Sequence, residues 1–248
     1  MKVIVYGANG AMGKIVCSKC LDSGYEVVAR VDSAFETSGD CYNKISEYNG
    51  GADVIIDFSY HGAIGDITSY AVKNNIPVIV ATTGHTAEEK ELISEAAKTV
   101  PVFYAGNYSV GIALLCDLTR KAVEVMEGAD VEIVEVHHNR KIDAPSGTAL
   151  MIANEISSVL PEKPEYKYDR TTERQVRPKN EIGIHSIRAG TIVGEHSVIF
   201  GCNKEVINIS HSAESRDVFA TGALRAAEFI KNKPAGLYNM SDMLALDL

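Results

Sequence analysis

The chain has 248 residues, of which 46% are hydrophobic and 23% are charged, a composition typical of a folded globular protein. Its 24 Lys and Arg residues against 33 Asp and Glu residues give a net charge of −9, which argues against binding to nucleic acid or to an anionic membrane surface. Its apolar runs are far shorter than the roughly 18 residues of a membrane span, and no secretion signal is visible. We therefore expect a cytoplasmic protein of one large or two modest domains.

The five cysteines support the same compartment, because an odd number at irregular spacing is typical of reduced thiols. Cys17 and Cys20 form a C-x-x-C pair, but no second pair completes a zinc site. Both fall in a predicted helix. We interpret them as packing residues of a helix face and expect no metal site.

The first half of the chain alternates predicted strands and helices. Apolar runs predict strands at Val3–Tyr6, Tyr25–Val31, Ala52–Phe58, Ile76–Val80 and Val100–Tyr104. Helices are predicted at Met12–Ser23, His61–Asn75 and Thr86–Lys98. This order predicts a Rossmann-like, doubly wound parallel sheet of the α/β class.

The pattern changes after Asn107. Helices are predicted at Val110–Met126, Pro145–Leu160 and Val218–Lys231. Alternating residues predict strands at Val131–His138 and in the segments IGIHSIRAG, IVGEHSVIFG and VINISHSAES, with residues 161–181 as an exposed connection. We therefore expect a second, α+β domain on a mixed sheet, spanning 109–215. The first domain covers 1–108 and is completed by the closing helix and tail, about 216–248.

A glycine-rich turn follows the first strand. Gly7, Gly10 and Gly13 form G-x-x-G-x-x-G, with Asn9 where the usual fingerprint has its middle glycine. Glycine lets a pyrophosphate approach the backbone, and the helix that follows offers N–H groups and a partial positive charge. Asp32, 19 residues beyond Gly13, is placed to accept hydrogen bonds from the ribose of a dinucleotide. The alternative is a helix-capping turn and a surface acid.

Three further strands end in segments that we expect at the carboxyl edge of the sheet, where open α/β sheets bind ligands. These segments are Asp57-Phe58-Ser59, Ala81-Thr82-Thr83-Gly84 and Ala105-Gly106-Asn107-Tyr108. We expect Phe58 and Tyr108 to flank a nicotinamide ring. The alternative is ordinary packing at strand ends.

A cationic cluster follows the strand Val131–His138. His137, His138, Arg140 and Lys141 fall within five residues, and Pro145-Ser146-Gly147-Thr148 then opens a helix. Imidazole, ammonium and a helix N-terminus together form a receptor for a small carboxylate, and imidazole also exchanges protons near neutral pH. The alternative is a solvated loop between a strand and a helix.

The segment EIVEVHHNRKIDAPSGTAL, residues 132–150, resembles the signature of the 4-hydroxy-tetrahydrodipicolinate reductase (dihydrodipicolinate reductase) family. That signature reads approximately E-x-H-H-x-x-K-x-D-x-P-S-G-T-A. Further similarity lies in the glycine turn, in ATTG at 81–84, in NYSVG at 107–111 and in IRAGTIVGEH at 187–196. The resemblance thus covers nearly the whole chain.

The resemblance implies reduction of 4-hydroxy-tetrahydrodipicolinate to tetrahydrodipicolinate with loss of water, with hydride from NADH or NADPH, in lysine and diaminopimelate biosynthesis. It implies His137 and Lys141 as catalytic residues and a small dicarboxylate substrate bound by His138, Gly147 and Thr148. It implies cofactor contacts from Gly7, Ala8, Asn9, Gly10, Ala11, Met12, Asp32, Ala81, Thr82, Thr83, Ala105, Gly106, Asn107 and Tyr108. It also implies a homotetramer, assembled through the sheet of the second domain.

The chain departs from the family pattern at two positions. Ala81 stands where many members have glycine, and Ser33 follows the acid where members that bind NADPH well often have arginine. We therefore expect NADH to bind at least as well as NADPH. The rival hypotheses are another NAD-dependent amino-acid-type dehydrogenase and a dinucleotide-sensing regulator without turnover, which leaves the histidines and Lys141 unexplained.

Overall fold

The computed structural model describes residues 1–171 and 173–245 and divides into two compact units. The first unit is Met1–Ser109 together with Asp217–Ala245, and the second is Val110–Arg216. Within the described residues, no helix is both long enough and apolar enough to cross a membrane.

The first unit is a parallel sheet covered by helices. Its strands are β1 (Lys2–Tyr6), β2 (Glu26–Val31), β3 (Cys41–Tyr42), β4 (Val54–Asp57), β5 (Val78–Val80), β6 (Pro101–Tyr104) and β12 (Gly236–Tyr238). Its helices are α1 (Ala11–Asp22), α2 (Ile64–Asn74), α3 (Ala87–Ala97), α6 (Asp217–Ile230) and α7 (Met240–Leu244). Short 3₁₀ turns occupy Ile45–Glu47 and His61–Ala63.

The strands of this sheet lie in the order β12-β6-β5-β4-β1-β2-β3, and the pairs are parallel. The doubly wound parallel sheet predicted from the sequence is confirmed. β1 lies between β2 and β4, so the chain passes from β1 to β2 on one side and later returns to β4 on the other. This switch in direction opens a crevice at the carboxyl ends of β1 and β4, the usual ligand site of such sheets.

The core of the first unit explains its continuous apolar strands. Val3, Ile4 and Val5 of β1 are all fully buried, because helices cover both faces of the sheet. α6 packs on α1 and on β4, β5 and β6. Its Gly222 lies against the carbonyl of Tyr108, where a Cβ would come within 1.7 Å of the oxygen. The edge strands β3 and β12 were not predicted, because two or three residues are too few to show a periodic pattern.

The second unit is a mixed sheet with helices on one face. Its strands are β7 (Asp130–His137), β8 (Glu165–Lys167), β9 (Glu181–Arg188), β10 (Gly194–Cys202) and β11 (Glu205–Ala213), in the order β11-β10-β7-β9-β8. β10 is antiparallel to β11 and β7, whereas β9 is parallel to β7 and β8. The predicted mixed sheet is confirmed. The helices are α4 (Val110–Val125) and α5 (Gly147–Val159).

Alternation along β7 decides which of its side chains face the helices. Val131 and Ile133 join the core with residues of α4 and α5, and Glu135 and His137 follow them on the same buried face.

The prediction of an exposed connection over 161–181 is wrong in part. β8 lies within it and extends the sheet, and Arg170 and Arg177 both form ion pairs with Glu132. The three residues of β8 are too few for an alternation to be visible among the surrounding charged residues.

Candidate active site

The glycine turn brings the backbone after β1 against the start of α1. Gly7 has φ +78, and a Cβ on it would lie 2.6 Å from the carbonyl oxygen of Phe58. A Cβ on Gly13 would lie 2.1 Å from the carbonyl oxygen of Gly7. No side chain caps the start of α1 at Gly10, in the part of the chain that is described. The turn therefore presents backbone N–H groups that an anionic group can use.

Asp32 follows β2 beside this turn. Its Oδ2 accepts a hydrogen bond from the Asn9 amide at 3.1 Å, and its Oδ1 accepts one from the Ala34 amide at 3.0 Å. The nearby Arg30 is paired with Asp40, its Nη1 lying 3.2 Å from Oδ2 of that carboxylate. Asp32 is thus fixed at the crevice by two backbone amides, and Arg30 is paired with Asp40.

Two adjoining clefts lie along the carboxyl edge of the first sheet and share Phe58, Ser59 and Tyr60. The larger, of about 440 Å³, is lined by residues that include Gly7, Gly10, Asp32 and Ser33. The smaller, of about 280 Å³, is lined also by Met12, His61, Ala81, Thr82 and Thr83. The structure thus brings together seven of the predicted cofactor residues around these two adjoining clefts.

The other predicted cofactor residues lie outside these two linings. Ala8 is buried in the turn, while Asn9 and Ala11 are exposed at its tip. Ala105, Gly106, Asn107 and Tyr108 follow β6. The Tyr108 ring is buried, and its hydroxyl donates to the carbonyl oxygens of Val80 at 2.9 Å and Phe103 at 3.1 Å. A cofactor contact from Tyr108 would therefore come from its backbone.

Asp57, in the first of the predicted strand-end segments, is a buried acid at the end of β4. Its Oδ1 accepts a hydrogen bond from the Ser59 amide at 2.9 Å. Burial raises the pKa of Asp57, against the opposing effect of hydrogen bonds from Ser59 and Thr82. The bond to the Ser59 amide fixes the segment after β4, which lines both clefts.

In the second unit, His137 ends β7 and is 9% exposed. Its Nδ1 lies 2.5 Å from Oε2 of Glu135, which is fully buried. Arg188 at the end of β9 donates to both oxygens of that carboxylate, at 2.7 and 2.9 Å, and the Ser146 amide donates to Oε1 at 3.1 Å. Burial raises the pKa of Glu135, but hydrogen bonds from Arg188, Ser186 and His137 outweigh it and lower the pKa to about 2.

His196 of β10 lies opposite Glu135 in the sheet, and its ring meets His137 edge-on with 5.3 Å between centroids. Its Nε2 lies 3.1 Å from the Ser146 hydroxyl, which also accepts the Ala149 amide as the N-terminal cap of α5. Burial, with a further contribution from His137, lowers the pKa of His196 to about 4. His196 is therefore neutral near pH 7.

The remaining cationic residues lie in the loop after β7. Lys141 Nζ is 2.8 Å from Oδ1 of Asp143, which is largely exposed. His138, on the opposite face of the strand end from His137, has a pKa lowered by desolvation and by the nearby charges of Arg140 and Arg216. The loop therefore concentrates positive charge in an acidic protein.

The start of α5 borders this cluster. Gly147 has open space where a Cβ would project, and Thr148 follows it in the first turn of α5. Because Glu135 binds the Ser146 amide, the same carboxylate that contacts His137 also anchors this helix start. The structure thus brings His137 and the α5 N-terminus together, as the sequence predicted from their spacing.

Four residues of this site were missed as site residues. Glu135 and Ser146 stood inside the signature segment, and His196 ended the segment IRAGTIVGEH, which also contains Arg188. The sequence signal for Glu135 was its position two residues before His137, which places both side chains on the same face of the predicted strand. Arg188 and His196 come from β9 and β10, so only the strand pairing reveals them.

Two family models match the chain, described as "Dihydrodipicolinate reductase, N-terminus" over residues 1–108 and "Dihydrodipicolinate reductase, C-terminus" over residues 111–244. The chain is 51% identical over 246 residues to the 4-hydroxy-tetrahydrodipicolinate reductase of Caldanaerobacter subterraneus subsp. tengcongensis, with 98% of each chain covered. It is 43% identical over 252 residues to that of Clostridium tetani, covering 98% of this chain and 97% of the relative. Its fold matches a dipicolinate-bound dihydrodipicolinate reductase from Paenisporosarcina sp. TG-14, with a TM-score of 0.81 and 23% identity over 98% of each chain.

Proposed function

The chain belongs to the dihydrodipicolinate reductase family, and from this premise we propose that it reduces 4-hydroxy-tetrahydrodipicolinate to tetrahydrodipicolinate with loss of water, in lysine and diaminopimelate biosynthesis. The observation that carries the proposal is the site at the end of β7. There an imidazole held by a buried carboxylate, an ammonium group and an open helix start lie on neighbouring segments.

A nicotinamide dinucleotide fits the first unit. The turn has no room for a Cβ at Gly7 or Gly13, no side chain of the described residues caps the start of α1, and Asp32 borders a cleft of about 440 Å³. In this proposal the turn binds the pyrophosphate, Asp32 accepts hydrogen bonds from the ribose, and the segments after β4, β5 and β6 provide the remaining cofactor contacts. The bound cofactor supplies the hydride.

The second unit binds the substrate in this proposal. A small dicarboxylate needs cationic partners in a protein of net charge −9, and Lys141 supplies one locally. His138, whose pKa is lowered by desolvation and by the nearby cations, adds a neutral imidazole that can donate a hydrogen bond. The backbone of Gly147 and the hydroxyl of Thr148 add donors at the start of α5, where the helix dipole favours an anion. Because Lys141 is paired with the exposed Asp143, a substrate carboxylate has to compete with that pair.

His137 and Lys141 provide the acid chemistry. Hydride addition to a conjugated imine places negative charge on the ring, and a positioned acid has to neutralise it. The Nδ1 of His137 is engaged by Glu135, so Nε2 is the atom that exchanges a proton. Lys141 stabilises the developing charge as an ammonium group.

We also propose a cofactor preference, an assembly and a compartment for this enzyme. NADH binds at least as well as NADPH, because Asp32 repels a 2′-phosphate, Ser33 is uncharged, and Arg30 is paired with Asp40. The enzyme is a homotetramer formed through the second unit, and it acts in the cytoplasm.

The test is oxidation of reduced cofactor by the purified protein, with 4-hydroxy-tetrahydrodipicolinate and, separately, with amino acids and their oxo acids. We expect turnover with the first substrate, and turnover lost in a Lys141→Ala variant. Turnover only with an amino acid or oxo acid would favour the rival dehydrogenase. Cofactor binding without turnover on any of them would favour the regulator.

A further inference from the structure

We propose that Glu135 is a positioning residue that holds His137 with its proton on Nδ1 and keeps Nε2 available for proton exchange, and that Arg188 fixes Glu135 in that role. The inference deepens the proposed function and rests on it for its kinetic consequences. The protonation state of His137 itself is a property of the folded chain, and it can be measured whatever the substrate is.

The geometry assigns each oxygen of Glu135 a different task. Oε2 lies 2.5 Å from Nδ1 of His137 and 2.9 Å from Nη1 of Arg188. Oε1 accepts from Nη2 of Arg188 at 2.7 Å and from the Ser146 amide at 3.1 Å. An ionised carboxylate only accepts hydrogen bonds, so Nδ1 must be the donor. In neutral His137 the unprotonated nitrogen is then Nε2.

Arg188 keeps the carboxylate from rotating away. Two parallel bonds from one guanidinium define the plane of the carboxylate, which a single ammonium group cannot do. Arg188 also donates to the carbonyl oxygens of Ile187 at 2.8 Å and Asp143 at 2.7 Å. Because these bonds tie the guanidinium to the backbone of β9 and to the loop after β7, it has little freedom to follow a displaced carboxylate.

Charged and titratable groups of the described residues approach the pair from three strands and one loop. Arg188 approaches from β9 and His196 from β10, with His211 of β11 beyond His196. His138, Lys141 and Asp143 come from the segment after β7. His196 stays neutral near pH 7, because its burial and the closeness of His137 oppose a second charge.

The nearest alternative is that Glu135 serves only to anchor α5 through the Ser146 amide. Both roles predict that removing the carboxylate lowers stability, so stability alone does not separate them. They differ in what happens at the imidazole: an anchor leaves the proton distribution of His137 unchanged, whereas a positioning residue determines it.

The first measurement is NMR of the full-length protein with ¹⁵N-labelled histidine, with the His137 signals identified by their loss in His137→Gln. At a pH where His137 is neutral, we expect a protonated Nδ1 and an unprotonated Nε2. In Glu135→Gln we expect part of the population to carry the proton on Nε2. A wild-type His137 with its proton on Nε2 would overturn the proposal, and this result needs no variant of Glu135 to fold.

The second measurement is the pH dependence of kcat. The matched control is Glu132→Gln, on the same strand but on the opposite face, where Glu132 pairs with Arg170, Arg177 and His185. Glu135→Gln should lower kcat by at least about tenfold and move the alkaline limb of the profile to lower pH, because the imidazolium loses its counter-charge. Arg188→Lys should give a smaller change in the same direction.

We expect Glu132→Gln to keep the wild-type pH profile, and all three variants to keep NADH affinity within about threefold. An unchanged profile in a folded Glu135→Gln protein would overturn the positioning role. If His137 carries its proton on Nδ1 but the wild-type protein does not reduce the proposed substrate, the proposed function fails while the assignment of Glu135 stands.

Discussion

The carboxylate of Asp32 accepts a hydrogen bond from the backbone amide of Asn9 at 3.1 Å, so the acid at the end of β2 and the glycine turn after β1 form one structural unit. The same carboxylate accepts the Ala34 amide. Both carboxylate oxygens of Asp32 are thus oriented before a ribose binds. Asn9, which replaces the usual middle glycine of the turn, provides one of these two hydrogen bonds.

This arrangement predicts the cofactor preference. NADH should bind at least as tightly as NADPH, because a 2′-phosphate would meet the Asp32 carboxylate while Arg30 remains paired with Asp40. The check is a pair of dissociation constants measured at the same salt concentration. NADPH binding tighter by more than about tenfold, or ~1.4 kcal/mol, would mean that another cation neutralises the phosphate.

A second prediction concerns the closeness of the turn to α1. Gly13→Ala should weaken NADH binding by more than about tenfold, because the new Cβ would lie 2.1 Å from the Gly7 carbonyl oxygen and the turn has to move. The matched control is Gly65→Ala in α2, where the nearest atom, of Leu92, is 3.8 Å away. We expect the control to keep wild-type affinity and to gain up to about 1 kcal/mol in stability. Equal NADH affinity in the two variants would contradict the role of the Gly7–Gly13 turn in binding the cofactor.

The sequence predicted the parallel sheet because its strands are long apolar runs separated by amphipathic helices. It did not predict β3, β8 or β12, which have two or three residues each and are defined by their neighbours in the sheets. The site shows the same limit. His137 and the start of α5 are close in sequence and were predicted together, whereas Arg188 reaches Glu135 only because β9 pairs with β7.

A third prediction concerns stability against pH. The pKa of His196 is lowered by burial from 6.5 to about 4, so between these values the unfolded chain binds a proton that the folded chain excludes. The free energy of unfolding should therefore fall as the pH decreases through this window, by up to about 3 kcal/mol from this residue. Denaturant unfolding at several pH values should show a smaller fall in His196→Gln than in wild type. Parallel curves for the two proteins would contradict the assignment.

A fourth prediction separates chemistry from cofactor binding. His137→Gln or Lys141→Ala should lower kcat by ~10²–10⁴-fold and leave NADH affinity nearly unchanged, because both residues belong to the second unit. If Lys141 acts mainly as an electrostatic anchor, part of its effect appears in KM. Steady-state kinetics beside an NADH titration provide the check. Near wild-type kcat in both variants would show that neither residue is catalytic and that the cationic cluster is an ordinary solvated loop.

The most direct test of the central claim is transfer of deuterium from the nicotinamide to the product. The protein is incubated with 4-hydroxy-tetrahydrodipicolinate and with NADH that carries deuterium on one or the other face of nicotinamide C4, and the mass of the product is measured by mass spectrometry. We predict tetrahydrodipicolinate that is heavier by a single deuterium, and none of it in Lys141→Ala over the same time. Product without deuterium from either face of the labelled cofactor, or no product from the wild-type protein, would contradict the account.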